Sequence, residues 1–508
     1  MSVSAPPADA CSPRPDQSGR LVDTLLTSMV ALLLLTVGQK LIGFVRSIVV
    51  CRLLPPEELG TWSMLQALVM TVSPILLLSI PACFGRYFAT YQQRGQLANF
   101  IKQSSILCSI SLGIGLVGLW FYRAPIAQLA LGDSQLSYLV VYAGLALIPF
   151  AMFSFLSELL LALRYGRAAS RANFISTITL TFFSLGLLLC FPPTAVVMLI
   201  AFALSFTIPL VLCLGAYRKA INELPENESR LYWGPTWTWM FPIILMFWFS
   251  DLLTNLFFTV DKYMIVNLAR VPAQNVLAEI GAYEAMHVLT GIFFFVSLWI
   301  GKTLLPYMAQ EWEEGRQSEV SVQANLSIKL VGFSSLAAGV VMTSVAGPLA
   351  HMLFHGKYDS AVFLIPYLVY FYVGCGTTIM LMNYYWCAGI AAWSTLPLIL
   401  GLTVNCATNY FLIPEYGVEG AAIGTTCGMI CQVISLLAIA AWRGLGLDLG
   451  VIGFLLASSL LVVDRSGNLC WFALLAVVVG FSGLFSLEEQ ARLKQAYAAI
   501  TAKLRRST

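Results

Sequence analysis

The chain has 508 residues, of which 59% are hydrophobic and 10% charged, with a formal net charge of +3. A soluble domain carries roughly 25% charged residues, so a water-soluble fold of this size is excluded. The small net charge says little by itself, and no nucleic-acid partner is expected; where the positive charge lies says more.

Residues 1–20 are rich in Pro, Ser and Ala and read as a disordered cytoplasmic tail. From Leu21 onward the apolar residues come in runs of about 20, the length a helix needs to cross about 30 Å of hydrocarbon. In lipid every backbone N–H and C=O must be paired within the chain, so these runs are expected to be helices. A transmembrane barrel would show strands of about ten residues with alternating polarity instead. The reading is an all-α membrane protein of about fourteen helices, near 21–46, 60–82, 103–122, 136–163, 172–191, 194–216, 238–267, 281–301, 327–346, 360–386, 393–411, 418–441, 450–464 and 469–486.

Lys and Arg concentrate in cytoplasmic loops of membrane proteins. With the N-terminus inside, 20 of the 28 Lys and Arg residues fall on the cytoplasmic side and seven on the other, with Lys40 inside the first span. Both termini are therefore expected in the cytoplasm. No loop is long enough to house a catalytic domain, which argues against a membrane polymerase or ligase. Most of the 12 cysteines lie in apolar runs and read as small packing residues.

Two stretches repeat. Glu58-Leu59-Gly60-Thr61-Trp62 matches Glu279-Ile280-Gly281-Ala282-Tyr283 at an offset of 221 residues. Tyr87-Phe88-Ala89 with Gly95 matches Tyr307-Met308-Ala309 with Gly315 at an offset of 220. The pattern predicts two parallel six-helix lobes around a central cavity: a first lobe at 21–219, a cytoplasmic linker at 220–235 and a second lobe at 236–442. Two further helices follow within 443–486, and a basic cytoplasmic tail occupies 487–508.

Signals of catalysis are missing. Gly301-Lys302-Thr303 resembles the end of a Walker A loop, but Val296 stands where its first glycine is required, which rules against a built-in ATP motor. His351 and His355 have metal-ligand spacing but no nearby carboxylate pair and read as interfacial histidines; His287 stands alone. No cofactor or metal is expected. Charges within spans are costly, about 2.5–3.5 kcal/mol at mid-membrane, and normally face a wet cavity or a partner. Lys40 interrupts the first span; Asp251, Asn255, Asp261 and Lys262 interrupt the seventh. Asp251, Asn255 and Lys262 share one helical stripe, and Lys40 and Asp261 lie one repeat offset apart. These residues, with Arg46, are candidates either for a transport cavity or for polar locks between lobes. Arg86, Glu158 and Glu284 are secondary candidates for the cavity or its entrance.

Three segments carry a family resemblance. Arg52-Leu53-Leu54-Pro55-Pro56-Glu57-Glu58-Leu59-Gly60-Thr61-Trp62 resembles the stretch after the first helix of bacterial polysaccharide transporters, with Pro56 a departure in a loop turn. Asp261-Lys262-Tyr263-Met264-Ile265, followed by Ile280-Gly281-Ala282-Tyr283, resembles a second, two-part motif. Asn409-Tyr410-Phe411-Leu412-Ile413-Pro414-Glu415-Tyr416-Gly417-Val418-Glu419-Gly420-Ala421-Ala422 resembles a third and is the most specific. The resemblance is to the O-antigen-type flippases of the multidrug/oligosaccharidyl-lipid/polysaccharide exporter superfamily. It implies a bacterial inner-membrane protein that moves an undecaprenyl-diphosphate-linked oligosaccharide to the outer leaflet by alternating access. A gradient of H+ or Na+ would drive it, and other polysaccharide-assembly proteins would be its partners. Lys40, Arg46 and Lys262 would then meet phosphate, and Asp251 and Asp261 would couple the ion. An ion-coupled multidrug exporter of the same superfamily, binding cations through its carboxylates, is the alternative.

Overall fold

The computed structural model describes residues 37–223, 233–270, 273–463 and 489–490. Helix α1 covers 37–53. It is followed by α2 (Pro56–Leu76), α3 (Ile80–Gln93), α4 (Leu97–Phe121), α5 (Arg123–Leu131), α6 (Ser137–Ala162), α7 (Gly166–Cys190) and α8 (Ala195–Asn222). The second half holds α9 (Trp233–Leu268), α10 (Ala273–Thr290), α11 (Ile292–Glu313), α12 (Gln317–Phe354), α13 (Ile365–Cys387), α14 (Thr395–Tyr416), α15 (Val418–Trp442) and α16 (Leu449–Val463). No strand occurs among the described residues.

Among the described residues, 11 helical stretches are long and apolar enough to cross a membrane. The expected span 21–46 lies mostly outside the described residues, and its described part continues to residue 53 as α1. The span expected at 450–464 is α16, only 15 residues long. The span at 469–486 lies outside the described residues, as do both expected tails apart from 489–490 and most of the 220–235 linker.

Two expected single spans are interrupted. The run at 60–82 divides into α2 and α3, because Leu78 and Ser79 both adopt left-handed backbone (φ 52° and 46°) and Pro81 opens the next helix. Left-handed backbone costs an L-residue roughly 1–2 kcal/mol, so this break is held by its surroundings. Trp248 donates to the Ile75 carbonyl at 3.3 Å and the Cys108 thiol to the Leu77 carbonyl at 3.4 Å. The run at 281–301 belongs to α10 and α11, which meet at Gly291.

The helices of the first half pack around α6, and α10, α11, α12, α15 and α16 pack around α13. The halves meet chiefly where α2 crosses α10. That crossing is built from the repeated motif. A Cβ on Gly60 would stand 1.8 Å from the Leu277 carbonyl oxygen, and one on Gly281 would stand 2.0 Å from that of Pro56. Leu277 is Pro56 advanced by one repeat, so the contact is self-complementary. Glycine lets the two backbones touch.

The third motif builds the turn between α14 and α15. Gly417 adopts φ 55° and ψ −129°, a region open in practice to glycine alone. Gly420, Gly424 and Gly428 then lie along one face of α15, against Leu412, Asn409 and Asn405 of α14 respectively.

Candidate functional site

A cavity of about 330 Å³ lies between α1, α7, α10, α11 and α13, and polar side chains dominate its walls. Lys40 and Arg46 enter from α1, Glu284 and His287 from α10, Thr177 from α7 and Tyr372 from α13. The Lys40 ammonium stands 4.7 Å above the centre of the Phe295 ring, a cation–π contact that leaves its N–H donors to the cavity. Lys302 of α11 is exposed and near enough to repel Lys40. The first wall is ordered by Gln39, which donates to Thr177 Oγ1 at 2.9 Å and to the Asn173 carbonyl at 3.0 Å.

Glu284 is not a free anion. Lys262 Nζ lies 2.5 Å from its Oε2, and Ser63 Oγ donates to the same oxygen at 2.8 Å while accepting from Lys262 at 2.9 Å. The pair therefore spans α9, α10 and α2. His287 Nδ1 is 3.0 Å from the Tyr372 hydroxyl, and its ring meets those of Tyr283, Phe371 and Tyr372 edge-on. Sequence reasoning missed Ser63, Tyr372 and Gln39, because hydroxyl and amide groups inside apolar runs carry no motif.

Asp261 has a different fate from Lys262. Consecutive helical residues point about 100° apart, and Asp261 turns into the core, only 2% exposed. It accepts from the Tyr283 hydroxyl at 2.7 Å and from Thr425 Oγ1 at 3.4 Å. Beside Thr425, Asn409 packs on Gly424 of α15 and donates to Asn405 Oδ1 at 2.6 Å. Asn409 Oδ1 and Asn405 Nδ2 are buried without hydrogen-bond partners among the described residues. One carboxylate among neutral oxygens suits a proton or a hard monovalent cation. Among the described residues no three His, Cys, Asp or Glu side chains converge.

The remaining candidates lie elsewhere. Asp251 and Asn255 sit on α9 at the level of the α2–α3 break. Asp251 faces Ser79, and Asn255 donates to the Asp251 carbonyl at 2.8 Å. Glu158 is exposed on α6 and forms no ion pair among the described residues. Arg86 belongs to α3, and its side chain lies outside the described residues. His351 and His355 take separate partners: His351 Nδ1 meets Asp359 at 2.7 Å, and His355 Nδ1 is 3.5 Å from Arg52.

At one end of the bundle α1 is tied to the segment that follows α12. After α12, His355 and Gly356 both have positive φ, which throws the next two residues back across the end of α1. Lys357 donates to the Arg52 and Leu54 carbonyls, each at 2.8 Å, and buried Tyr358 donates to the Cys51 carbonyl at 3.1 Å. A cation on the carboxyl end of a helix satisfies open carbonyls and its dipole together.

No family model and no curated protein matches the sequence. Solved structures do. A lipid II flippase, MurJ, in an inward closed conformation is similar over 90% of this chain and 98% of its own, with a TM-score of 0.61 at 13% identity. An inward-facing multidrug-resistance MATE transporter of the MOP superfamily covers 82% of this chain and 95% of its own, with a TM-score of 0.63 at 13% identity. A MOP-superfamily transporter from Pyrococcus furiosus, noted for the reverse polarity of its binding pocket, covers 81% and 92%, with a TM-score of 0.59 at 14% identity. The chain is thus a multi-pass membrane protein with the fold of the MOP-superfamily flippases and transporters.

Proposed function

We propose that the chain is a flippase for an undecaprenyl-diphosphate-linked oligosaccharide. The observation that carries this reading is the sign of the cavity. Among the described residues, Lys40 and Arg46 line it without a carboxylate partner, whereas its one carboxylate, Glu284, is neutralised by Lys262. A diphosphate crossing about 30 Å of hydrocarbon needs such compensation. A lipid II flippase and multidrug transporters are similar to the chain alike, so the choice between them rests on the sign of the cavity. A cationic drug would need an open carboxylate and would meet the repulsion of Lys40 and Arg46, so the multidrug alternative is the weaker one.

In this reading the two cations hold the diphosphate while the lipid tail stays among the helices. The Asp261 nest binds the coupling proton or sodium ion, and alternating access moves the headgroup. By the charge distribution of the loops, the end tied by Lys357 and Tyr358 faces outward, with both termini in the cytoplasm of a bacterial inner membrane. Deletion of the gene tests the function. A lipid-linked oligosaccharide trapped on the cytoplasmic leaflet is the expected result, and normal polymer output with no such lipid would sink the proposal.

A further inference from the structure

A second cavity, of about 260 Å³, lies within the second half, between α9, α11, α13, α14 and α15. None of the side chains that line it is charged. Its walls carry three aromatic rings, Phe257, Phe258 and Phe294, and among its polar groups are Thr254, Thr378 and Gln432. Gln432 is 8% exposed, and its Oε1 is buried with no hydrogen-bond partner among the described residues. A buried amide left unpaired is unfavourable, and here it borders the empty space. Gln432 lines the cavity, so a polar ligand seated there can pair with its amide.

The two cavities are neighbours. Phe294 of the neutral cavity packs on Tyr372 of the charged one, with ring centres 6.2 Å apart, and Phe371 joins Phe258 to His287. We propose that the neutral cavity receives a single glycosyl ring of the headgroup whose diphosphate occupies the charged cavity; this rests on the flippase reading above. The ring's hydroxyls can both donate to and accept from Gln432 and the threonines, and its C–H face can lie on the phenylalanines. Uncharged walls discriminate against a charged ligand, which would be desolvated there without compensation. The cavity is smaller than the roughly 300–1,000 Å³ of drug-sized sites, which fits one ring. Asp251, the charge nearest in sequence, faces Ser79 instead.

The test uses the full chain in lipid nanodiscs and two probes. One is undecaprenyl diphosphate without sugar; the other is the undecaprenyl-diphosphate-linked oligosaccharide extracted from cells deleted for the protein. In Gln432→Leu the sugar-bearing lipid is expected to bind about tenfold more weakly, while sugar-free lipid binding stays within about twofold. The empty Gln432→Leu protein is also expected to melt higher, because an unpaired buried amide has gone; a purely structural glutamine would lower the melting temperature. Phe258→Ala should weaken binding of the sugar-bearing lipid alone. Unchanged affinity for the sugar-bearing lipid in Gln432→Leu, or equal loss for both probes, overturns the inference. Wild-type protein that binds both lipids equally overturns it while leaving the flippase reading intact. Wild-type protein that binds neither overturns that reading as well.

Discussion

Helices α1 and α9 open the two halves of the repeat, and their equivalent residues have opposite surroundings. Lys40 is exposed and lines the charged cavity; Asp261, 221 positions later, is buried against Tyr283 and Thr425. The charge that faces the cavity side from α9 is its neighbour Lys262, already paired with Glu284. The comparison teaches that a repeat brings equivalent helices together without equating the faces they present. A rotation of one residue, about 100°, separates a substrate-facing cation from a buried carboxylate.

The largest way to break this arrangement is at the shared seam. Gly60→Ala would drive a methyl into the Leu277 carbonyl, so the yield of monodisperse protein in size-exclusion chromatography should collapse. Alanine at Gly118, which has open space around it, should be silent. Next comes Lys262→Met, which leaves Glu284 and Asp261 uncompensated and should cost about 3–5 kcal/mol in unfolding. Adding Glu284→Leu should recover part of that loss. Lys40→Ala sharpens the contrast with α9: stability should change by less than about 0.5 kcal/mol, while complementation of a deletion strain fails and Lys40→Arg restores part of it. Asp261→Asn should abolish the dependence of transport on the ion gradient with protein level unchanged; a retained dependence would remove the nest from the coupling scheme. The smallest effect belongs to Lys357→Met, worth about 0.5–1 kcal/mol as a lost helix-end contact. It should register as faster labelling of a cysteine at position 40 by a membrane-impermeant reagent added from outside.

Hydropathy made the helical class legible, and repeated glycines marked α2 and α10 before their contact was visible. Gly417 was legible in the same way, since its motif requires a conformation open to glycine. The breaks at Leu78–Ser79 and Gly291 were not, because apolar runs continue through them and the left-handed residues are not glycines. Short α5 lacks the length of a span and passed unnoticed. Within the site, Lys40 and Arg46 stood out as charges in lipid. The pairing of Lys262 with Glu284 joins two helices, and Ser63 adds a third from the other half; no local pattern encodes that. Gln432 was invisible for a simpler reason: a lone glutamine in an apolar run announces nothing until the space beside it is seen.

The seam at Gly60 and Gly281 also speaks to ancestry. A contact in which each partner offers the other the same surface is what two copies of one shorter chain make about a two-fold axis. The present protein has the form of such a dimer fused end to end, with its founding interface still written in both halves. Fusion released the copies from the need to stay identical. Lys40 could become a site for cargo while its twin, Asp261, withdrew into the core.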